Sequence, residues 1–146
     1  MKSGPFPSSL LQLTSLNTLD LGSNSFNKSL PEELFDLVGL QFLDVSVCKF
    51  TGTIPSRIVK LTQIQDLLLG SNSFHGPLPL EVFQLTSLTW LDVGHNELTG
   101  TLSSWIGNLT LMSDLIINDN RFYGSFMKRV RLKIAIRVYF FLLLKI

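Results

Sequence analysis

The chain has 146 residues, of which 45% are hydrophobic, and its formal net charge is +1. This length fits one domain, and the apolar content is sufficient for a packed core, so an intrinsically disordered chain is excluded. The single cysteine excludes an intrachain disulfide, and the sequence has no CxxC or Cys/His cluster that would bind zinc. The first ten residues lack the apolar segment of a secretory signal, so either the protein stays inside the cell or its true start is missing.

Internal repetition is the strongest pattern in the sequence. Five blocks of 24 residues align without a gap, and they begin at Leu13, Leu37, Leu61, Leu85 and Leu109. Residues 3–12 align with the end of one further block. Because one block cannot cover its own apolar residues, the pattern predicts repeats that stack on their neighbours.

Each repeat contains two apolar residues separated by one position, which is typical of a short strand with one buried face. These pairs are Leu19 and Leu21, Leu43 and Val45, Leu67 and Leu69, Leu91 and Val93, and Leu115 and Ile117. Recurrent glycines at Gly52, Gly76, Gly100 and Gly124 predict tight turns. Pro55 and Pro79 follow Gly52 and Gly76, and Pro31 follows Lys28, which replaces the glycine in the first repeat. These prolines predict a return segment too short for a long helix.

The full pattern, LxxLxxLxLxxNxFxGxIPxxL, resembles the plant-type leucine-rich repeat. Its fullest copy is "LTQIQDLLLGSNSFHGPLPLEV", which begins at Leu61. The resemblance implies an α/β solenoid, a right-handed superhelix with a parallel β-sheet on its concave side and short 3-10 or irregular segments on its convex side. Residues 1–127 are predicted to form this domain, and residues 128–146 a basic and hydrophobic tail outside the repeat.

The resemblance also explains the position of the only cysteine. In this family one asparagine per repeat points inward and bonds to backbone groups of adjacent turns. The corresponding positions here are Asn24, Cys48, Asn72, Asn96 and Asn120. A thiol is compact and has a weak S–H donor, so we expect Cys48 to be a buried member of this ladder and not a reactive nucleophile.

Residues that alternate with the buried strand positions should face solvent on the concave sheet. That surface and its border hold seven of the eleven acidic residues against two basic ones. The predicted ligand-binding residues are Phe42, Asp66, Trp90, Asp114, Asp20, Asp44, Asp92, His95 and Glu97. Aromatic anchors and complementary charge favour a basic peptide or protein as the partner. The alternative is that Asp20, Asp44 and Asp92 belong to the repeat pattern and serve only solubility.

Catalysis is not expected. An open sheet has no cleft to exclude water or shift a pKa, and the sequence lacks a phosphate-binding loop and the kinase signatures. No catalytic residue, cofactor or metal ligand is predicted, and no nucleic-acid partner, because no recognised nucleic-acid-binding fold accompanies the basic tail.

By resemblance, the chain is a protein- or peptide-binding module from the ectodomain of a plant cell-surface receptor in signalling or defence. Its expected place is the extracellular face of the plasma membrane, with a co-receptor as a further partner and membrane association through missing parts of a parent protein. Two sequons, at Asn27 and Asn108, fit a glycoprotein. The alternatives are a secreted protein like the polygalacturonase inhibitors and a gene remnant without a function of its own.

The last stretch, "MKRVRLKIAIRVYFFLLLKI", departs from the repeat and contains six basic residues. It is too often interrupted by charge to supply the roughly 20 apolar residues of a membrane-spanning helix. It is expected to lie on a membrane surface or to pair as an edge strand, or else to be read-through from a truncated gene.

Overall fold

The computed structural model describes residues 4–124 and 137–139. The strands in these residues are β1 (Thr18–Asp20), β2 (Phe42–Asp44), β3 (Thr51–Gly52), β4 (Asp66–Leu68), β5 (Ser73–Pro77), β6 (Trp90–Asp92), β7 (Glu97–Gly100), β8 (Asp114–Ile116), β9 (Arg121–Phe122) and β10 (Arg137–Tyr139). Short 3-10 helices span Ser8–Gln12, Glu32–Asp36, Ser56–Lys60, Leu80–Gln84 and Ser104–Asn108.

One strand from each of the five repeats, together with β10, forms a parallel sheet, called here the main sheet, in the order β1-β2-β4-β6-β8-β10. The strand pairing places the predicted leucines in a single row, which consists of Leu19, Leu43, Leu67, Leu91 and Leu115. All five are buried. The predicted solenoid is therefore confirmed: every twenty-fourth residue returns to the same place in the stack.

A second parallel sheet, the side sheet, contains β3, β5, β7 and β9 and was not predicted from the sequence. The recurrent glycines lie at this sheet or directly after it and have left-handed φ values of 84°, 75°, 85° and 99° at Gly52, Gly76, Gly100 and Gly124. Glycine adopts such values without steric cost, which explains its recurrence at this turn.

The 3-10 helices carry the chain back to the next strand of the main sheet. Pro31, Pro55 and Pro79 stand directly before three of them in extended conformation. In the fourth repeat Ser103 takes the place of the proline, and its hydroxyl accepts a hydrogen bond from the backbone N–H of Trp105 at 3.1 Å. A side-chain cap there replaces the rigidity of the proline ring.

The core between the sheets and the helices is filled by aliphatic side chains and a row of phenylalanines. The ring centroids of Phe26 and Phe50 are 5.1 Å apart, and those of Phe50 and Phe74 are 6.3 Å apart. Leu13 was expected in this core but is 49% exposed. A preceding repeat would have to cover Leu13, and the described residues contain only the end of one.

The predicted ladder positions lie between consecutive repeats. Asn72 donates from Nδ2 to the carbonyl of Val45 in the preceding repeat at 2.9 Å and accepts at Oδ1 from the N–H of Phe50 at 2.9 Å. Asn96 and Asn120 donate to carbonyls in the same way, at 3.1 and 2.8 Å. These side chains satisfy backbone groups that the strands leave unpaired.

β10 pairs in parallel with β8, with Val138 opposite Leu115, and so adds an edge strand to the main sheet. An edge strand is one of the alternatives considered for this stretch. Apart from β10, residues 125–146 lie outside the described residues, so the division into a repeat domain and a separate tail stays a prediction.

Candidate ligand-binding face

Two columns of side chains leave the main sheet on the side opposite the buried leucines. Because successive residues of a strand point to opposite faces, each strand contributes the residues before and after its buried leucine. The first column contains Thr18, Phe42, Asp66, Trp90 and Asp114, and the second contains Asp20, Asp44, Leu68, Asp92 and Ile116. The structure thus brings seven of the predicted site residues together on one surface, which we call the binding face.

The first column combines aromatic and acidic side chains. Trp90 is 39% exposed although it lies in the middle of the sheet. Asp66 and Asp114 are half-buried and are held by hydroxyl groups. Thr89 donates to Asp66 Oδ1 at 2.8 Å, and Ser113 donates to Asp114 Oδ2 at 2.8 Å. These bonds fix carboxylates beside an exposed indole.

The acidic residues of the second column also take part in the turn that follows each strand. The backbone N–H two residues on donates to Oδ1 of Asp20 at 2.9 Å, of Asp44 at 2.7 Å and of Asp92 at 2.8 Å. Such a bond mimics a backbone turn and ends the strand. These three aspartates therefore have a structural contact of their own, which favours the alternative that they belong to the repeat pattern.

Asp92 is half-buried at the end of β6. Burial raises the pKa of Asp92, while the hydrogen bond from Gly94 and the nearby His95 act in the opposite direction. The enclosure depends on Gly70 in the preceding repeat, because a Cβ atom there would lie only 2.7 Å from Asp92 Oδ2. Glycine at this position lets the carboxylate rest against the neighbouring strand.

His95 and Glu97 lie beyond the binding face. His95 is in the turn after β6, and its Nδ1 lies 3.1 Å from Asp119 Oδ2. Glu97 is the first residue of β7 in the side sheet, and it pairs with Arg121 at 3.0 Å. Both contacts are exposed and contribute little stability. His95 and Glu97 therefore lie at the border of the face, and the negative charge of the face itself comes from the aspartates of the two columns.

Leu68 and Ile116 also belong to the face but were not selected as candidate binding residues. Both are half-buried in the second column, next to the carboxylates of Asp66 and Asp114 on the same strands. The signal for them was present in the sequence, since both alternate with buried leucines.

The predicted glycosylation sites are away from the binding face. Asn27 and Asn108 are both exposed, and Asn108 ends the 3-10 helix Ser104–Asn108. In residues 4–124, no group of three or more His, Cys, Asp or Glu side chains is arranged to hold a metal ion. The part of the chain that the structure describes contains no helix with the length and apolar character needed to cross a membrane.

Comparison with known proteins identifies the repeat. The family described as Leucine Rich Repeat matches residues 15–37, 39–61 and 87–109. No curated protein matches the chain in sequence. The leucine-rich-repeat ectodomain of the Arabidopsis thaliana membrane receptor kinase GASSHO1/SCHENGEN3, solved with CASPARIAN STRIP INTEGRITY FACTOR 2, has a TM-score of 0.81 and 37% identity over 84% of this chain. This chain covers 15% of that structure.

Other solved structures share the fold with different functions. The Arabidopsis receptor kinase HAESA, solved with the peptide hormone IDA and the co-receptor SERK1, has a TM-score of 0.77 and 29% identity, with 82% of this chain and 20% of that chain covered. A plant ice-binding protein has a TM-score of 0.78 and 27% identity, and the match covers 82% of this chain and 39% of that protein's chain. This chain thus spans between 15% and 39% of these three structures.

The fold is that of a non-catalytic module, in agreement with the prediction that the chain is not an enzyme. The repeat length, the row of buried leucines, the parallel sheet and the similarity to receptor ectodomains lead to the same assignment. The chain belongs to the plant-type leucine-rich-repeat proteins.

Proposed function

We propose that the chain binds a protein or peptide through the binding face, as part of the ligand-binding ectodomain of a plant cell-surface receptor. The observation that carries this proposal is Trp90, which is 39% exposed on a strand at the middle of the main sheet. Its neighbours in the row, Asp66 and Asp114, are charged. A large aromatic ring on a rigid strand with an acidic surround has the character of an interface anchor.

The charge of the face supports a basic partner. Five aspartates occupy the two columns: Asp20, Asp44, Asp66, Asp92 and Asp114. Arg121, at the border of the face, is paired with Glu97 and not with an aspartate of the two columns. Complementary charge accelerates the encounter with a cationic ligand and selects against anionic ones.

The solved neighbours support a peptide ligand and a co-receptor. GASSHO1/SCHENGEN3 was solved with CASPARIAN STRIP INTEGRITY FACTOR 2, and HAESA with a peptide hormone and a co-receptor. By analogy this chain serves in signalling, with defence as one field of use. The ice-binding neighbour shows why the binding face, and not the fold, has to carry the proposal. No feature of the structure specifically favours the inhibitor or the gene-remnant alternative.

An extracellular position at the plasma membrane follows from the same analogy, with anchoring supplied by other parts of a parent protein. Exposure of Asn27 and Asn108 makes both sequons accessible to a glycosyltransferase, which supports their use as glycosylation sites. Residues 1–127 are proposed as the binding domain, with residues 128–146 as a separate segment.

The test is selection of binders from a random peptide display library on the full chain. Selected peptides are then measured against Trp90→Ala and against Trp105→Ala. Trp105 is the matched control, since it is also exposed but lies on a 3-10 helix. Because an aromatic anchor contributes at least about 2 kcal/mol, Trp90→Ala should weaken binding about thirtyfold.

Trp105→Ala should leave the affinity unchanged. Peptides that bind Trp90→Ala and Phe42→Ala as tightly as the original chain would show that ligands use another surface, and the proposal would be abandoned.

A further inference from the structure

The binding face has a chemical period of two strands, although the fold repeats at every strand. From β2 to β8 the first column reads Phe42, Asp66, Trp90, Asp114, and the second column reads Asp44, Leu68, Asp92, Ile116. Acidic and apolar side chains therefore alternate along both columns. The two columns are out of phase, so these four strands form a checkerboard of carboxylates and apolar side chains. The pattern ends at β1, where Asp20 lies opposite Asp44.

This period restricts the conformation of a peptide that crosses the strands. Adjacent strands are about 4.8 Å apart, so equivalent chemistry returns about every 9.6 Å. An extended β-strand ligand places the side chains of one side about 6.8 Å apart, which is about 3 Å shorter than the period of the face. Its second side chain would therefore already miss the next equivalent position. A polyproline II helix has three residues per turn and advances about 9.3 Å per turn, so it stays in phase across the face.

The chemistry of the face selects the side chains of such a ligand. Asp66 and Asp114 lie two strands apart with Trp90 between them. Next to each of these carboxylates on its own strand is an apolar residue, Leu68 or Ile116. A lysine or arginine side chain would lay its aliphatic stem on the apolar residue and its charged head on the carboxylate. Proline rings would pack on the indole of Trp90, as they do in aromatic grooves that recognise polyproline segments.

We propose that the binding face recognises a polyproline II peptide with a basic side chain at every third position, two of these side chains binding Asp66 and Asp114 while the residues between them cover Trp90. This inference rests on the proposed function and specifies its ligand. The partner is a segment rich in proline with lysine or arginine at positions i and i+3.

The experiment compares two synthetic peptides of the same composition. One repeats Arg-Pro-Pro, which puts arginine at every third position, and the other places the same arginines at alternate positions among the same prolines. Both have the same charge and the same preference for polyproline II. Binding is followed by Trp90 fluorescence in the full chain carrying Trp105→Phe. The first peptide should bind about tenfold more tightly, as expected for one additional charge-assisted hydrogen bond that stays in register.

Two variants locate the effect. Asp114→Asn removes one carboxylate of the first column and should abolish the advantage of the first peptide. Glu81→Gln removes one charge from the 3-10 helix Leu80–Gln84, away from the main sheet, and should preserve that advantage. Thermal melting of both variants confirms that they are folded.

Equal binding of the two peptides, lost in Trp90→Ala, would overturn the spacing inference and leave the binding face intact as a proposed interface. Equal losses in Asp114→Asn and Glu81→Gln would show unspecific charge attraction and would also overturn it. If neither peptide binds, this inference fails, while the library selection still decides the proposed function.

Discussion

Repeat 2 (residues 37–60) and repeat 3 (residues 61–84) share one left-handed residue but diverge two residues later, where Lys49 has a φ of 59° and the equivalent Ser73 begins β5. The residue before the ladder position has a left-handed φ in both, 54° at Val47 and 55° at Ser71. Each donates its backbone N–H to a carbonyl of the next repeat, at 3.1 and 2.9 Å respectively. Stacking between repeats therefore imposes this conformation, even on a β-branched residue that disfavours it.

The ladder itself differs more between the two repeats. Asn72 bonds to the preceding repeat as donor and acceptor, and its Oδ1 receives the N–H of Phe50 at 2.9 Å. The thiol of Cys48 donates to the carbonyl of Leu21 at 2.9 Å, the same kind of bond that the asparagine amide makes. The N–H of Phe26, which corresponds to Phe50, instead donates to the backbone carbonyl of Cys48 at 2.9 Å. The cysteine thus retains the donor role, and the backbone supplies the missing acceptor.

The largest expected effect follows from this difference. Asn72→Ala leaves the N–H groups of Cys48 and Phe50 without their acceptor, and one unsatisfied buried group costs about 1–3 kcal/mol. We expect the free energy of unfolding to fall by about 2–5 kcal/mol. Cys48→Ala removes only a donor and a small volume, and it should cost about 1 kcal/mol. Urea unfolding of both variants measures the two losses.

Asn24→Ala is the control for a general effect of removing a ladder asparagine. Among the described residues, its side chain bonds to carbonyls of its own repeat, those of Leu21 and Gly22. It should cost less than Asn72→Ala. If Asn72→Ala and Cys48→Ala destabilise equally, the acceptor role assigned to Asn72 is wrong.

A smaller effect on the free energy of unfolding is expected from substitutions at the two positions with a left-handed φ, Val47 and Ser71. Val47 and Ser71 are both exposed, so a substitution changes backbone strain more than burial. A left-handed conformation costs an L-residue about 1–2 kcal/mol, and more for a β-branched side chain. Ser71→Val should therefore lower the free energy of unfolding by about 1 kcal/mol, and Val47→Ser should raise it by a similar amount. A change of the same sign in both variants would contradict the strain argument, and thermal melting is a sufficient measurement.

The stack of repeats could be predicted because each core position recurs with similar chemistry. Leu19, Leu43 and Leu67 occupy one row in the structure as they occupy one column of the sequence. The side sheet could not be predicted in the same way. Its longest strand, Ser73–Pro77, contains a glycine and a proline and lacks an alternating aliphatic pattern, and it forms because stacking brings successive copies within hydrogen-bonding distance.

Only those residues of the candidate site that lie within the main-sheet strands could be placed from the sequence. Alternation with buried leucines placed Trp90 and Asp66 correctly on the surface. Beyond the ladder position the chain turns into the side sheet, which removes Glu97 from the face, and no residue pattern marks that turn. The left-handed position before the ladder is occupied by serine, valine, histidine and aspartate in different repeats, so its geometry has no sequence signature.

The smallest expected effect distinguishes the two ladder side chains by titration. Burial, reinforced by the nearby Asp44 and Asp20, raises the pKa of the Cys48 thiol above its ordinary value of 9.0, whereas the amide of Asn72 does not titrate. The unfolded chain therefore loses the thiol proton first, and folding stability falls as pH rises above 9.0. Cys48→Ser keeps a hydroxyl donor but does not titrate in this range. Between pH 7 and about pH 10, the free energy of unfolding of the original chain should therefore fall relative to that of Cys48→Ser. Lysines and tyrosines titrate in both proteins, so their effect cancels in this difference. A difference that stays constant over this range would mean that the folded thiol ionises as freely as an exposed one, and that the ladder does not enclose Cys48.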